Sequence, residues 1–137
     1  MGAAVARAIV AAGGSVAILD LDESGADLAA ELGGTFHKLD VTDAAACATV
    51  LGKVSAAGRL DLMVNCAGIA PGAKTVGRDG AHDPALFAKT IQINLIGTFS
   101  CASAAAVSRH CQPVRLALAL NTISDTAASR RARATAT

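Results

Sequence analysis

Apolar positions recur along this chain with two alternating periods. Residues 3–12 place Val5, Ile9 and Ala12 on one helical face, and Gly13-Gly14 stops that helix as glycine does just past a helix end. Residues 15–19 are an apolar run of strand length closed by Asp20, and Ser24 is placed to cap a second helix that ends before Gly33-Gly34. A second strand is predicted over 35–39, a third helix over 44–57 capped by Thr42 or Asp43, and a third strand over 61–65. Residues 66–84 read as a glycine-rich loop. Pro84 suits the first turn of a long helix running to His110, and a fourth strand is predicted over 114–120. Strands apolar on both faces, strictly alternating with helices, predict an α/β fold: a doubly wound parallel sheet with helices on both sides.

Composition narrows the picture. The chain of 137 residues is 53% hydrophobic and 17% charged, far from the disordered class. A net charge of +1 excludes a strongly basic nucleic-acid surface, and the Arg130-Arg131-Arg133 cluster reads as a solvated tail over 125–137. His37, His82 and His110 are scattered, and Cys47, Cys66, Cys101 and Cys111 lack metal-ligand spacing, so no metal site and reduced buried thiols are expected. Arg7 and Gly13-Gly14 interrupt the apolar start, which argues against a signal peptide. Every long apolar stretch carries a charge or a glycine, so no membrane partner and a cytoplasmic location are expected. There is no Tyr and no Trp.

Three places carry candidate chemistry. Met1 and Gly2 open the first helix, and Asp20 follows Gly2 by 18 positions at a strand end. A glycine there lets the helix pack close to a sheet, its N-terminus favours a pyrophosphate, and the carboxylate accepts ribose hydroxyls. Such a carboxylate repels a 2′-phosphate and selects NAD over NADP; equally, Asp20 is a surface residue after a strand. Asp40 and Val41 end the next strand, where the carboxylate either meets an adenine amino group or simply precedes the following helix. Asn65-Cys66-Ala67-Gly68 closes the third strand with small residues that allow close backbone approach. Asn94 lies 26 positions past Gly68 inside a helix, where asparagine is unfavourable and invites a functional reason.

These segments together resemble the short-chain dehydrogenase/reductases. Asp61 to Gly68 is similar to that family's D-x-L-V-N-x-A-G, Asn94 to Phe99 to its N-x-x-G-x-F, and Asp40-Val41-Thr42 to its D-V-(T/S). Asn121-Thr122-Ile123-Ser124 is similar to the N-x-x-S that ends the family's fifth strand. Asn65 to Ala70 with Lys74-Thr75 resembles the type 2 3-hydroxyacyl-CoA dehydrogenase branch. The resemblance implies a partial Rossmann-like domain over residues 1–124, NAD as cofactor, a small-molecule substrate and homo-oligomeric relatives. It also implies hydride transfer in which Ser124 polarises the substrate oxygen, Asn94 holds a relay water, and a Tyr-x-x-x-Lys supplies the base. Met1-Gly2 matches only the last positions of the family's T-G-x-x-x-G-(M/L/I)-G, so the chain reads as truncated at both ends, and the expected activity of this chain alone is slight. With the family's strand order 3-2-1-4-5, the strands at 15–19 and 61–64 are expected to lack a partner between them, leaving the chain poorly folded or prone to aggregate.

Overall fold

A computed structural model describes residues 1–78, 80–109 and 118–121. The elements are α1 (Gly2–Ala11), β1 (Val16–Asp20), α2 (Gly25–Glu31), β2 (Thr35–Lys38), α3 (Ala44–Ala57), β3 (Leu62–Asn65), β4 (Val76–Gly77), β5 (Gly80–Ala81), α4 (Pro84–Ile91), α5 (Thr98–Arg109) and β6 (Leu118–Asn121). A π-helical stretch, Gln92–Gly97, joins α4 to α5 into one long helix. Four strands form a parallel sheet in the order β2-β1-β6-β3.

Local chemistry explains most boundaries. Gly13 (φ 83°) and Gly33 (φ 64°) take the left-handed conformation that ends α1 and α2. Asp43 caps α3, its side chain accepting from Ala46 N at 2.9 Å, and Asp83 caps α4 by accepting from Ala85 N, with Pro84 at the first turn. Ser24 does not cap α2 with its hydroxyl. Its backbone is already helical (φ −60°, ψ −18°), whereas a capping side chain needs an extended backbone to reach the first turn. Asp22 Oδ1 instead accepts from Ser24 N at 2.9 Å. The glycine-rich segment after β3 is less irregular than expected, since β4 and β5 pair antiparallel within it.

The strands alternate their burial between two layers, as the pleat requires. Val16 and Ile18 pack with Ala6 of α1 and Ala29 of α2 on one face. Ala17 and Leu19 pack with Cys47 and Leu51 of α3 and Cys101 and Ala105 of α5 on the other. Helices therefore cover both faces, as the alternation of apolar runs implies. Cys47 and Cys101 meet across the second layer with sulfurs 3.6 Å apart, and burial pushes the Cys47 thiol above its usual range.

One expectation is overturned. The strands β1 and β3 do not face an empty slot, because β6 lies between them and pairs with both. Leu118 is level with Val16 and Leu62, and Asn121 with Leu19 and Asn65. Main-chain groups that were expected to stay unsatisfied find partners, and each such group would otherwise cost about 1–3 kcal/mol. The strand that precedes Ser124 thus sits inside β3, not beyond it as the fifth strand of the resemblance would.

Residues Pro84–Ser108 form a helix long and apolar enough to cross a membrane by length and composition only, and it carries Lys89 and Gly97. In the fold, Cys101 and Ala105 of this helix are buried against α3, while Phe87, Leu95, Phe99 and Val107 are exposed.

Candidate functional site

In a parallel sheet, the carboxyl ends of the strands all open on one edge, and here they gather most of the singled-out residues. Asn121 ends β6 and Asn65 ends β3 level with each other and with Leu19, and Asp20 ends β1 one residue further on. Helix α1 precedes β1 and runs back along it. Ten residues of helix rise about 15 Å and five of strand about 16 Å, which brings Met1 and Gly2 level with the Asp20 end. Gly2 is buried, and the Met1 carbonyl accepts from Ala4 N and Val5 N. The first turn of α1 carries the positive end of the helix dipole.

Asp20 is buried at 5% exposure, which is unusual for a carboxylate at a strand end. Burial raises its pKa above 3.8, the value for an exposed aspartate, and the nearby Asp22 charge adds to the rise; backbone amides of Asp22 and Leu21 oppose it. Oδ1 accepts from Asp22 N at 3.0 Å. A buried carboxylate backed by amides is held in one orientation, as a hydroxyl acceptor must be. Asp40, in contrast, is exposed and curls into a local turn, Oδ1 accepting from Thr42 N at 2.9 Å and Thr42 Oγ1 at 2.7 Å. Val41 beside it is buried.

Asn65, Cys66, Ala67 and Gly68 leave the edge from β3. Cys66 packs toward the α1–α2 layer and Ala67 toward the α3–α5 layer, so this segment crosses the end of the sheet. Asn65 Oδ1 is buried without a hydrogen-bond partner among the described residues. A buried carbonyl oxygen in that state costs about 1–3 kcal/mol unless a donor from outside the protein meets it.

Asn94 reaches this segment from the long helix. Its Nδ2 donates to Ile69 O and its Oδ1 accepts from Ile69 N, both at 2.8 Å, so one carboxamide engages both main-chain polar groups of one residue. The π-helical stretch that holds Asn94 frees local carbonyls, and Thr98 Oγ1 donates to Asn94 O at 2.8 Å. The mid-helix asparagine therefore has a structural role, bracing the loop beyond Gly68. Asn94→Leu is expected to destabilise the fold by about 0.5–1.5 kcal/mol, because it removes both hydrogen bonds to Ile69, which lie at an exposed position where water partly replaces them. Hydrogen exchange at the Ile69 amide checks this, and unchanged protection would refute the brace.

Gly97 sets how closely the helix approaches. A methyl group there would lie 2.7 Å from Val41 Cγ2 and 3.3 Å from Val41 O. Val41 is β-branched and buried, so it yields poorly. Gly97→Ala is expected to lower the denaturant midpoint, at a cost of about 1–3 kcal/mol, while the same change at Gly52, where nothing lies within 4 Å, is expected to be neutral or stabilising.

The edge thus brings together Met1, Gly2, Asp20, Asn65, Cys66, Ala67 and Gly68, with Asn94 behind them. Asp40 and Val41 lie in the loop after β2, where Val41 joins this assembly through Gly97. Ser124 lies outside the described residues, as does the tail at 125–137. Sequence reasoning missed Ile69, Thr98 and the Gly97–Val41 contact. Ile69 and Thr98 act through hydrogen bonds made with Asn94, which no residue pattern announces. No group of three or more metal-ligating side chains is found among the described residues.

A dinucleotide fits this edge in its donor and acceptor chemistry. Asp20 offers fixed acceptors for a diol, the positive end of α1 suits a phosphate, and the orphaned Asn65 oxygen calls for a donor.

The family profile described as enoyl-(acyl carrier protein) reductase matches residues 1–134. The chain is 36% identical over 106 residues to the human 3-hydroxyacyl-CoA dehydrogenase type-2, covering 73% of this chain and 41% of that protein. The Drosophila melanogaster protein of the same name is 40% identical over 109 residues, with 73% and 42% covered. D-threitol dehydrogenase of Mycolicibacterium smegmatis is 40% identical over 108 residues, with 72% and 39% covered. The chain spans about two fifths of the length of these relatives.

Proposed function

The chain belongs to the short-chain dehydrogenase/reductase family, and from that premise we propose that it forms the NAD-holding part of an oxidoreductase acting on a secondary alcohol or ketone such as a 3-hydroxyacyl-CoA. The observation that carries the reading is the buried, amide-backed carboxylate of Asp20 at the carboxyl end of β1. In this proposal Asp20 accepts both ribose hydroxyls of the adenosine half. The amides at Met1-Gly2 face the pyrophosphate. The second oxygen of Asp40, free of the turn bonds to Thr42, meets the adenine amino group. Asn65 to Gly68 form the wall against which the nucleotide lies, and Asn94 keeps that wall in place through Ile69. When bound, NAD supplies the hydride-accepting ring. Ser124 is assigned to hold the substrate oxygen.

The relatives' names span an acyl-CoA and a sugar alcohol, so the substrate class is proposed from 3-hydroxyacyl-CoA dehydrogenase type-2, which recurs in human and fly. A second reading is a catalytically silent NAD-binding or subunit-binding module. The absence of any tyrosine in the 137 residues favours it.

Isothermal titration of the chain with NAD and with NADP tests the cofactor reading. NAD is expected to bind more tightly, since a carboxylate facing a 2′-phosphate is repulsive. Equal or tighter binding of NADP refutes the role of Asp20, and no binding of either at millimolar concentration refutes the cofactor reading as a whole.

A further inference from the structure

Cys47 and Cys101 are both fully buried, and their sulfurs meet 3.6 Å apart although 54 positions separate them in the chain. Neither is among the residues assigned to the cofactor or the substrate. The pair sits where α3 packs on α5, among Ala46, Ala104 and Ala105. Small side chains on both helices let the two backbones come close. Closeness is what a disulfide demands, since its Cα atoms stand no more than about 7 Å apart. To reach a bond length of roughly 2.05 Å the sulfurs have only to close by about 1.5 Å. Cys47 Sγ also approaches Val41 O at 3.7 Å, a weak contact that gives little resistance to that movement.

We propose that Cys47 and Cys101 are a covalent modification site, at which hydrogen peroxide oxidises the pair to a disulfide that clamps α3 to α5. The Cys47 thiolate attacks one peroxide oxygen; the S–O bond forms, the O–O bond breaks, and the hydroxide released takes up the thiol proton and leaves as water. Cys101 Sγ then attacks the sulfenic sulfur; the S–S bond forms, the S–O bond breaks, and a second water leaves with the Cys101 proton. Two thiols and one peroxide thus give one disulfide and two waters. Burial is the largest influence on the Cys47 thiol and keeps it protonated, and the charges of Asp43 and Asp40 add to this; the hydrogen bond with Cys101 works the other way. The reaction is therefore slow and suited to a small, uncharged oxidant. The same burial keeps bulky thiols from reducing the product. The closed loop contains Asn65 to Gly68 and Asn94, and closing it restricts the unfolded chain, which raises stability.

The sequence makes the test direct, because trypsin separates the cysteines. Cutting after Lys38 and Lys53 leaves Cys47 in residues 39–53, cutting after Lys89 and Arg109 leaves Cys101 in residues 90–109, and Cys66 and Cys111 fall in two other peptides. The full chain is reduced, freed of reductant, treated with hydrogen peroxide under native conditions, and mapped by mass spectrometry without reduction. The expected result is that the peptides 39–53 and 90–109 are recovered joined, two hydrogens lighter than their sum, from a chain of unchanged oligomeric state. The melting midpoint of the oxidised chain is expected to rise by several degrees. That rise is expected to be lost in Cys101→Ala and kept in Cys66→Ala. If both peptides carry unmodified thiols, or each carries sulfinic acid without a link, the pair is not a disulfide site. If either cysteine is joined to position 66 or 111, or to another chain, the assignment falls. It falls also if the link appears only after unfolding in urea, or if it forms and lowers the midpoint.

Discussion

Given NAD and a 3-hydroxyacyl-CoA, the purified chain is expected to turn over about 10²–10⁴-fold more slowly than the human relative, the range that a positioned general acid–base group contributes. The resemblance to the family places that work on a tyrosine with a nearby lysine, and this chain has no tyrosine at any position. Of the site residues, the long helix supplies Asn94, whose carboxamide is engaged with Ile69. Appearance of NADH absorbance at 340 nm measures the rate. Turnover within tenfold of the relative, by a preparation free of contaminating dehydrogenase, would show that another group of this chain moves the proton.

Asp20→Ala is expected to weaken NAD binding by about ten- to a hundredfold while leaving NADP binding unchanged or improved, so that the preference between them collapses. Hydrogen bonds to a charged group contribute about 1.5–3 kcal/mol, and the alanine also removes the repulsion of a 2′-phosphate. Stability is expected to move the other way in Asp20→Asn. Burial raises the folded-state pKa of Asp20 above the unfolded 3.8, so the folded protein holds this proton more readily than the unfolded chain. The resulting cost is absent below pH 3.8, grows as pH rises from there toward the raised folded value, and is complete above that value. Asparagine keeps an acceptor for Asp22 N and carries no charge, so at pH 7 this variant is expected to melt no lower than the parent. Thermal unfolding at pH 7 decides it, and a clear fall in the midpoint would mean that the interactions of the ionised carboxylate outweigh the cost of its burial.

The long helix shows how far the residues could be read in advance. Asn94 stands out in the sequence because asparagine suits a helix interior poorly, and the fold gives it a loop to brace. Which loop it braces was not legible, since Ile69 offers only its main-chain N–H and C=O, which every residue type but proline carries. Gly97 belongs to the same recognisable segment, yet its reason lies in Val41, 56 positions earlier. Cys47 and Cys101 are ordinary sequence positions and become neighbours only when α3 and α5 pack.

The alternation of apolar runs, the glycines after α1 and α2, the Asp43 cap and Pro84 at the head of α4 determined the element order, because each acts on its own few residues. The same local reasoning put Asp20 at a strand end. Which strands become neighbours was decided by the tertiary structure. A short strand apolar on both faces, as Leu118 to Leu120 is, suits any interior place in a parallel sheet. Its own pattern carries no address. The edges of β1 and β3 supplied one, since two facing rows of main-chain donors and acceptors left unsatisfied are costly and β6 pairs with both.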